Sequence, residues 1–279
     1  MICGAGGQLG QKLIGAARAL EPACRVFAYN RSMLDITEPD DLRAAFRDAQ
    51  PTAVFNAAAY TAVDRAESEP ERAEAVNIAG AERLAAAARE HRAAFFHFST
   101  DYVYADGYNR PLSENDRTQG TSVYARTKLA GEVAVLRAND DAYILRTSWV
   151  YAEYGHNFVR TMLRLGRERD ELNIVADQVG SPTYAADLAA AALQLWRGAA
   201  RPGVYNFANS GVCSWYDLAL AIHELAGIDC TVSPIRTEQY PTPAKRPSYS
   251  VLDTTKITEI LGAPPRHWRA ALAECMAKA

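Results

Sequence analysis

Short apolar segments of strand-like length alternate with longer helical stretches through the first two-thirds of this chain, and that alternation constrains the fold more than any other feature. Residues 26–29, 53–56, 94–99 and 143–146 read as short buried strands. Between them, the spacing of apolar residues predicts a helix over 8–20, a second starting after Thr37, a third running from Ser68 to about 91, and a fourth over 122–137. A further helix is expected over 184–196. Thr37 with Asp40, and Ser68 with Glu71, have the spacing of a capping box, in which a hydroxyl and an acid three residues on satisfy the first backbone donors. Strand–helix–strand units of this length build a parallel, doubly wound sheet with right-handed crossovers.

The texture changes after residue 207. One helix is expected over 214–226, then a proline-bearing stretch from Pro234 to Pro247, then two closing helices over 254–261 and 267–278. The reading divides the chain into a dinucleotide-binding domain (1–146 plus about 184–207) and a smaller, partly discontinuous α/β substrate lobe (147–183 and 208–279).

Charge and cysteine usage narrow the function classes. A net charge of −3 and a pI near 6.0 argue against nucleic acid as the main partner. No apolar run approaches the ~20 residues needed to span a bilayer, so no membrane partner is expected. No leader is legible at Met1-Ile2-Cys3-Gly4, and a cytoplasmic location is expected. The five cysteines include no C-x-x-C pair, which fits a reducing compartment. The five histidines show no metal-ligand spacing, and each reads as an ordinary surface or core residue.

The first strand is followed at once by Gly4-Ala5-Gly6-Gly7-Gln8-Leu9-Gly10. Glycines at 4, 7 and 10 let backbone N–H groups approach a pyrophosphate at the start of a helix. The placement between a strand and an amphipathic helix makes this turn a Rossmann-type cofactor site, although its spacing is not the standard G-x-G-x-x-G. At the end of the second strand, an acid would hold the ribose of NAD and an arginine would favour the 2′-phosphate of NADP. Asn30-Arg31 offers the arginine.

Tyr124-Ala125-Arg126-Thr127-Lys128 puts Tyr124 and Lys128 on one helical face. A phenol with a pKa near 10 needs a neighbouring cation to work as an acid or base at neutral pH, and an ammonium one turn away supplies it. Upstream, Ser99-Thr100-Asp101 closes an apolar strand, where a doubly wound sheet places its ligands. Thr100 can donate to a carbonyl oxygen that gains charge.

Together these residues resemble the dTDP-4-dehydrorhamnose reductases, a family of extended short-chain dehydrogenases/reductases. The resemblance rests on Gly7-Gln8-Leu9-Gly10, Leu34-Asp35-Ile36-Thr37, Asn56 through Asp64, Ser99 through Tyr104, Tyr124 through Glu132, Arg146 through Tyr151, Asp177 through Thr183, and Arg246-Pro247. These stretches cover nearly the whole chain in the family's order. Ala105 and Ala125 depart from the family's usual residues. The resemblance implies hydride transfer from NADPH, or NADH in some members, to the C4 ketone of dTDP-4-dehydro-L-rhamnose. It implies Tyr124 as proton donor, Lys128 as its partner and Thr100 as the group that polarises the ketone. It places Gly4, Gly7, Gln8, Leu9, Gly10, Asn30, Arg31, Asp35, Ile36, Ala57, Ala58 and Tyr60 at the cofactor. Asp101, Tyr102, Val103, Trp149 and Arg246 fall to the dTDP-sugar. Some members dimerise around magnesium, so a homodimer and a Mg²⁺ ion follow from the resemblance, with no site placed on this chain. Two alternatives stay open: a sugar-nucleotide epimerase or dehydratase of the same fold, against which Asn30-Arg31 speaks, and a catalytically idle nucleotide-binding regulator, against which the intact Thr100, Tyr124 and Lys128 speak.

Overall fold

The computed structural model describes residues 1–20, 23–198 and 200–278. The first strand, β1 (Ile2–Cys3), turns at once into α1 (Gln8–Leu20), whose Leu13 and Ala17 face the interior. Next come β2 (Ala28–Tyr29), α2 (Pro39–Ala49) and β3 (Ala53–Asn56). The following connection holds α3 (Val63–Ala66), α4 (Pro70–Glu74), a π-helical segment (Ala75–Gly80) and α5 (Ala81–Glu90). Then β4 (Ala94–Thr100), α6 (Val123–Ala138) and β5 (Ala142–Thr147) complete the regular alternation.

Neither expected capping box forms. The second helix begins at Pro39, and the Thr37 hydroxyl bonds Asp35 Oδ1 at 2.7 Å instead. The next begins at Pro70, while Ser68 Oγ donates to Arg65 O at 3.0 Å. In both cases a proline in the first helical turn sets the start, because its φ is already helical and it has no N–H to satisfy.

The second part of the chain uses shorter pieces. It comprises β6 (Val150–Tyr151), α7 (Phe158–Glu168), β7 (Glu171–Val175), β8 (Val179–Gly180), β9 (Thr183–Tyr184) and α8 (Ala185–Arg197). It continues with β10 (Gly203–Asn206), β11 (Cys213–Ser214), α9 (Trp215–Ala226), β12 (Thr231–Ile235), α10 (Thr255–Leu261) and α11 (Trp268–Met276). The main sheet has six strands in the order β10-β5-β4-β3-β1-β2, every pairing parallel. The small strands pair separately: β6 with β9 and β7 with β12 in parallel, β8 with β11 antiparallel.

From β1 the chain moves to β2 on one side and then returns to β3 on the other. That reversal opens a crevice above the carboxyl ends of β1 and β3, where open α/β sheets bind their ligands. Phe46, Val54, Leu84, Phe95 and Ile144 fill one face of the sheet, and Ile2, Leu13, Phe96, Leu145, Leu188 and Tyr205 the other. A third core under α7, α9 and α11 contains Tyr151, Met162, Leu172, Ile222, Trp268 and Leu272. One boundary differs from expectation. Ile257 of α10, placed with the smaller lobe by its position in sequence, packs into the sheet core beside α8. Among the described residues no helix is long and apolar enough to cross a membrane.

Candidate active site

The crevice depends on two glycines. Gly4 has φ +79°, and a Cβ there would lie 2.5 Å from Ala57 C and Ala58 N. A Cβ on Gly10 would lie 2.2 Å from Gly4 O, so α1 can close over the turn only with glycine in its first turn. Gly10, expected at the cofactor, is buried in that packing and acts by bringing the helix N-terminus to the crevice. Gly4, Gly7, Arg31, Asp35, Ile36 and Ala58 line a cavity of about 480 Å³, with Asn30 and Tyr60 at its walls. Gly7 and Ala57 also line a second cavity of about 630 Å³, together with Gln8 and Leu9, so one crevice runs past the turn.

Three of these residues carry partners that sequence did not reveal. Arg31 reaches Asp35 with Nε 3.5 Å from Oδ2, so an acid does stand at the end of this crevice. Asn30 Oδ1 accepts from Ser32 N (3.0 Å), Ser32 Oγ (2.7 Å) and Met33 N (3.2 Å), which uses it to shape the loop. The Tyr60 hydroxyl donates to Glu69 Oε2 at 2.9 Å, and its N–H donates to Asn77 Oδ1 at 2.9 Å. Asn77 Nδ2 in turn donates to Thr127 Oγ1 at 3.1 Å. The π-helical segment therefore locks α6 against the crevice wall, pressed so close that a Cβ on Gly131 would meet Asn77 O at 2.1 Å.

Thr100, Tyr124 and Lys128 all line the second cavity. Thr100 ends β4, while Ser122 caps α6 by accepting from Ala125 N at 3.2 Å. Thr100 Oγ1 donates to Asp101 Oδ1 at 2.9 Å and accepts from Tyr102 N at 3.3 Å. Burial pushes the pKa of the Tyr124 phenol up to about 12, the neighbouring Thr100 hydroxyl works against that, and the Asp101 charge adds to it. Lys128 is 2% exposed. Its Nζ donates to Phe98 O at 2.7 Å and lies 3.3 Å from His97 Nε2. Burial lowers its pKa to about 8, against the pull of Glu132. The Lys128 nitrogen expected to stabilise the phenolate thus has its near partners on β4. Burial also raises Asp101 to about 6.

Ser99 Oγ, Asp101 Oδ2 and Thr147 Oγ1 are buried without a hydrogen-bond partner, and all three residues line the cavity. Buried polar groups are ordinarily paired, so a polar molecule in the cleft fits them. The glycine-lined end and these orphaned polar atoms suit a dinucleotide in the crevice.

The residues expected at the substrate divide. Asp101, Tyr102 and Trp149 line the cavity, and the Tyr102 ring meets Tyr124 edge-on at 5.6 Å. Val103 does not. It is fully buried among Tyr104, Leu112, Ala208 and Leu252, because the 3₁₀ turn after Thr100 swings it into the core. Arg246 stands off the cavity lining in this state and pairs with Asp64 at 2.7 and 3.1 Å. Trp149 holds φ +47° and stacks on Trp215, ring centroids 3.6 Å apart at 9°. Sequence reasoning assigns no role to Trp215, His97 or Thr147, and marks Ser99 only as part of a strand end. No local pattern marks Trp215 or His97, whereas Thr147 also ends a strand and carries the same signal. A larger groove of about 870 Å³ runs along α7, lined by Arg160, Arg164 and Arg167, and contains none of the reactive residues. Among the described residues, no three His, Cys, Asp or Glu side chains cluster to hold a metal.

A six-stranded parallel sheet with a glycine-lined crevice at its switch point, and a Thr/Tyr/Lys set beside it, defines a Rossmann-type protein of the extended short-chain dehydrogenase/reductase class. The model of the RmlD substrate binding domain family matches residues 1–279. A dTDP-4-dehydrorhamnose reductase of Mycolicibacterium smegmatis is 45% identical over 280 residues, covering 99% of this chain and 84% of the relative. A spore coat polysaccharide biosynthesis protein of Bacillus subtilis is 41% identical over 275 residues, covering 98% and 95%. A solved dTDP-4-dehydrorhamnose reductase of Bacillus anthracis, in complex with NADP, superposes with a TM-score of 0.95 at 34% identity, covering 100% of this chain and 98% of that one. The chain belongs to the RmlD substrate binding domain family.

Proposed function

We propose that this protein reduces the C4 ketone of dTDP-4-dehydro-L-rhamnose to give dTDP-L-rhamnose, with NADPH as the reductant. The observation that carries the reading is the convergence of Thr100, Tyr124 and Lys128 on one cleft continuous with the glycine-lined crevice. The names of the relatives and the NADP complex of one of them support the substrate and cofactor. Residues 1–146 with about 184–207 and α10 serve the cofactor, and the remainder of 147–279 serves the sugar nucleotide.

Bound NADPH supplies a hydride to the ketone carbon. The chain's own groups manage the charge that appears on oxygen. Thr100 Oγ1 turns from Asp101 to donate to that oxygen, and Tyr124 delivers the proton. Ser99 and Thr147 give their unpaired hydroxyls to the ligands, and Asp101, half-protonated near pH 6, can accept from a sugar hydroxyl above that pH. NADPH oxidation in the presence of dTDP-4-dehydro-L-rhamnose made in situ tests the proposal. Cofactor consumption that depends on the sugar supports it; a purified protein that leaves NADPH intact, or that carries tightly held NAD⁺, speaks for the alternatives.

Two smaller effects follow. Arg31 is 66% exposed and paired with Asp35, so it is free to turn to a 2′-phosphate while leaving an acid for a 2′-hydroxyl. Arg31→Ala is expected to lower the NADPH-over-NADH ratio of kcat/KM about tenfold, one charge-assisted contact discounted for exposure. An unchanged ratio removes Arg31 from cofactor choice. Trp149→Ala is expected to raise KM for the sugar nucleotide about 2- to 10-fold, the worth of one ring contact, with NADPH affinity nearly unchanged. Normal KM in a folded variant would confine the Trp149–Trp215 stack to a packing role.

A further inference from the structure

The ring of His97 is buried on β4, 1% exposed, between two partners. Nδ1 lies 3.1 Å from Asn56 Nδ2, and Nε2 lies 3.3 Å from Lys128 Nζ. The far end fixes the direction of this chain. Ala58 N donates to Asn56 Oδ1 at 3.2 Å, so the amide presents its NH₂ to the ring and Nδ1 accepts. A neutral imidazole that accepts at Nδ1 carries its proton on Nε2. That proton points at Lys128. Burial first, and the Lys128 charge second, hold the His97 pKa well below its ordinary value, so the ring stays neutral.

An ammonium has three donors and no lone pair, whereas a neutral amine can accept. Phe98 O accepts from Nζ at 2.7 Å whether or not Lys128 is charged. The Nε2–H of His97 can bond Nζ only when Lys128 is neutral. We propose that Asn56 and His97 are positioning residues that present an N–H donor to the neutral amine of Lys128, so that this lysine can give up its proton during the cycle instead of remaining a fixed cation. The inference rests on the reductase reading of the site. Each reduction takes one proton from Tyr124. The lysine ammonium returns a proton to the phenolate, leaving phenol and amine, and the amine bonds His97 until a proton from water restores it. Positive charge moves from lysine to phenolate and is then replaced from solvent, so the cycle balances.

The other charged groups around Lys128 do not perform this task. Glu132, one turn along α6, favours the cation, but its carboxylate is held by Arg146 of β5 at 2.7–3.2 Å. Tyr124 and Asp101 share the cleft. The π-helical segment against α6 brings Asn77 and no charged residue. A lysine poised near pH 8 agrees with this arrangement.

The kcat/KM profile of the wild type is expected to fall above about pH 8, as the ammonium is lost. His97→Gln offers the ammonium a carbonyl acceptor. Asn56→Asp accepts from Nδ1–H and so turns Nε2 into an acceptor. By different routes both stabilise the cation, and both are expected to move the basic limb up by about one pH unit. A limb that stays in place in either folded variant overturns the proposal, even where stability falls. Nitrogen NMR of the ring in the cofactor-free wild type gives a second readout: a neutral His97 with its proton on Nε2 supports the assignment, and a proton on Nδ1 overturns it. If that tautomer is found in a protein that does not oxidise NADPH with the sugar nucleotide, the reductase reading fails while the control of Lys128 stands.

Discussion

Tyr124→Phe is expected to lower kcat by about 10²–10⁴-fold, the contribution of one general acid, with folding and NADPH affinity preserved. Hydride arriving at a carbonyl carbon leaves negative charge on oxygen, and a proton must meet it as it develops. In the proposed reaction the Tyr124 hydroxyl is that donor; it lines the cleft together with Thr100, and burial pushes its pKa up to about 12. Its ring packs edge-on against Tyr102, a contact that phenylalanine retains. The variant therefore removes one proton and little packing. Turnover of the sugar nucleotide by folded Tyr124→Phe at near wild-type rate would mean that the proton comes from elsewhere. Thr100→Val is the internal comparison, since it removes a donor to the same oxygen, worth at most ~3–4 kcal/mol.

Glu132→Ala is expected to destabilise the fold by about 3–5 kcal/mol. The Glu132–Arg146 pair is fork-shaped, with Arg146 Nε and Nη2 both bonded to the carboxylate at 2.7–3.2 Å, and both side chains are at most 6% exposed. Removing the acid leaves a guanidinium out of water beside Glu114 O and the Tyr104 face. The loss follows from that stranded charge more than from the pair's own net worth, because desolvation offsets much of its attraction. Replacing both partners, Glu132→Leu with Arg146→Met, is accordingly expected to recover most of the stability. Thermal or denaturant unfolding of the two single variants and the double variant measures the coupling. A single variant that melts like the wild type would show that water reaches Arg146.

Much of the fold was legible in the chain. Gln8–Leu20 follows from a glycine turn and a helical apolar period, and Ala53–Asn56 from a short buried run. The small strands of the second part were not read, because two residues such as Val179–Gly180 carry no period. The two capping boxes were misread because their spacing is also that of a turn, and proline decided where each helix began. At the site, the tyrosine–lysine pair was legible because both residues sit on one helix. Val103 was misplaced because it lies inside a motif whose 3₁₀ turn points it to the core.

The sequence by itself determined the alternation that builds a parallel sheet, the glycine turn at its first strand, and the Thr100, Tyr124 and Lys128 set to which the proposed chemistry is assigned. These are local properties: period, turn conformation and i,i+4 spacing act over a few residues. The tertiary structure decided which distant groups meet. It set Trp215 on Trp149, Asp64 on Arg246, and Asn56 and His97 against Lys128. It also decided that the amine of Lys128 on α6 is nearly dry, which its sequence neighbours could not reveal. Burial depends on everything packed around a residue, and here strands and helices far apart in the chain close over Lys128 and lower its pKa.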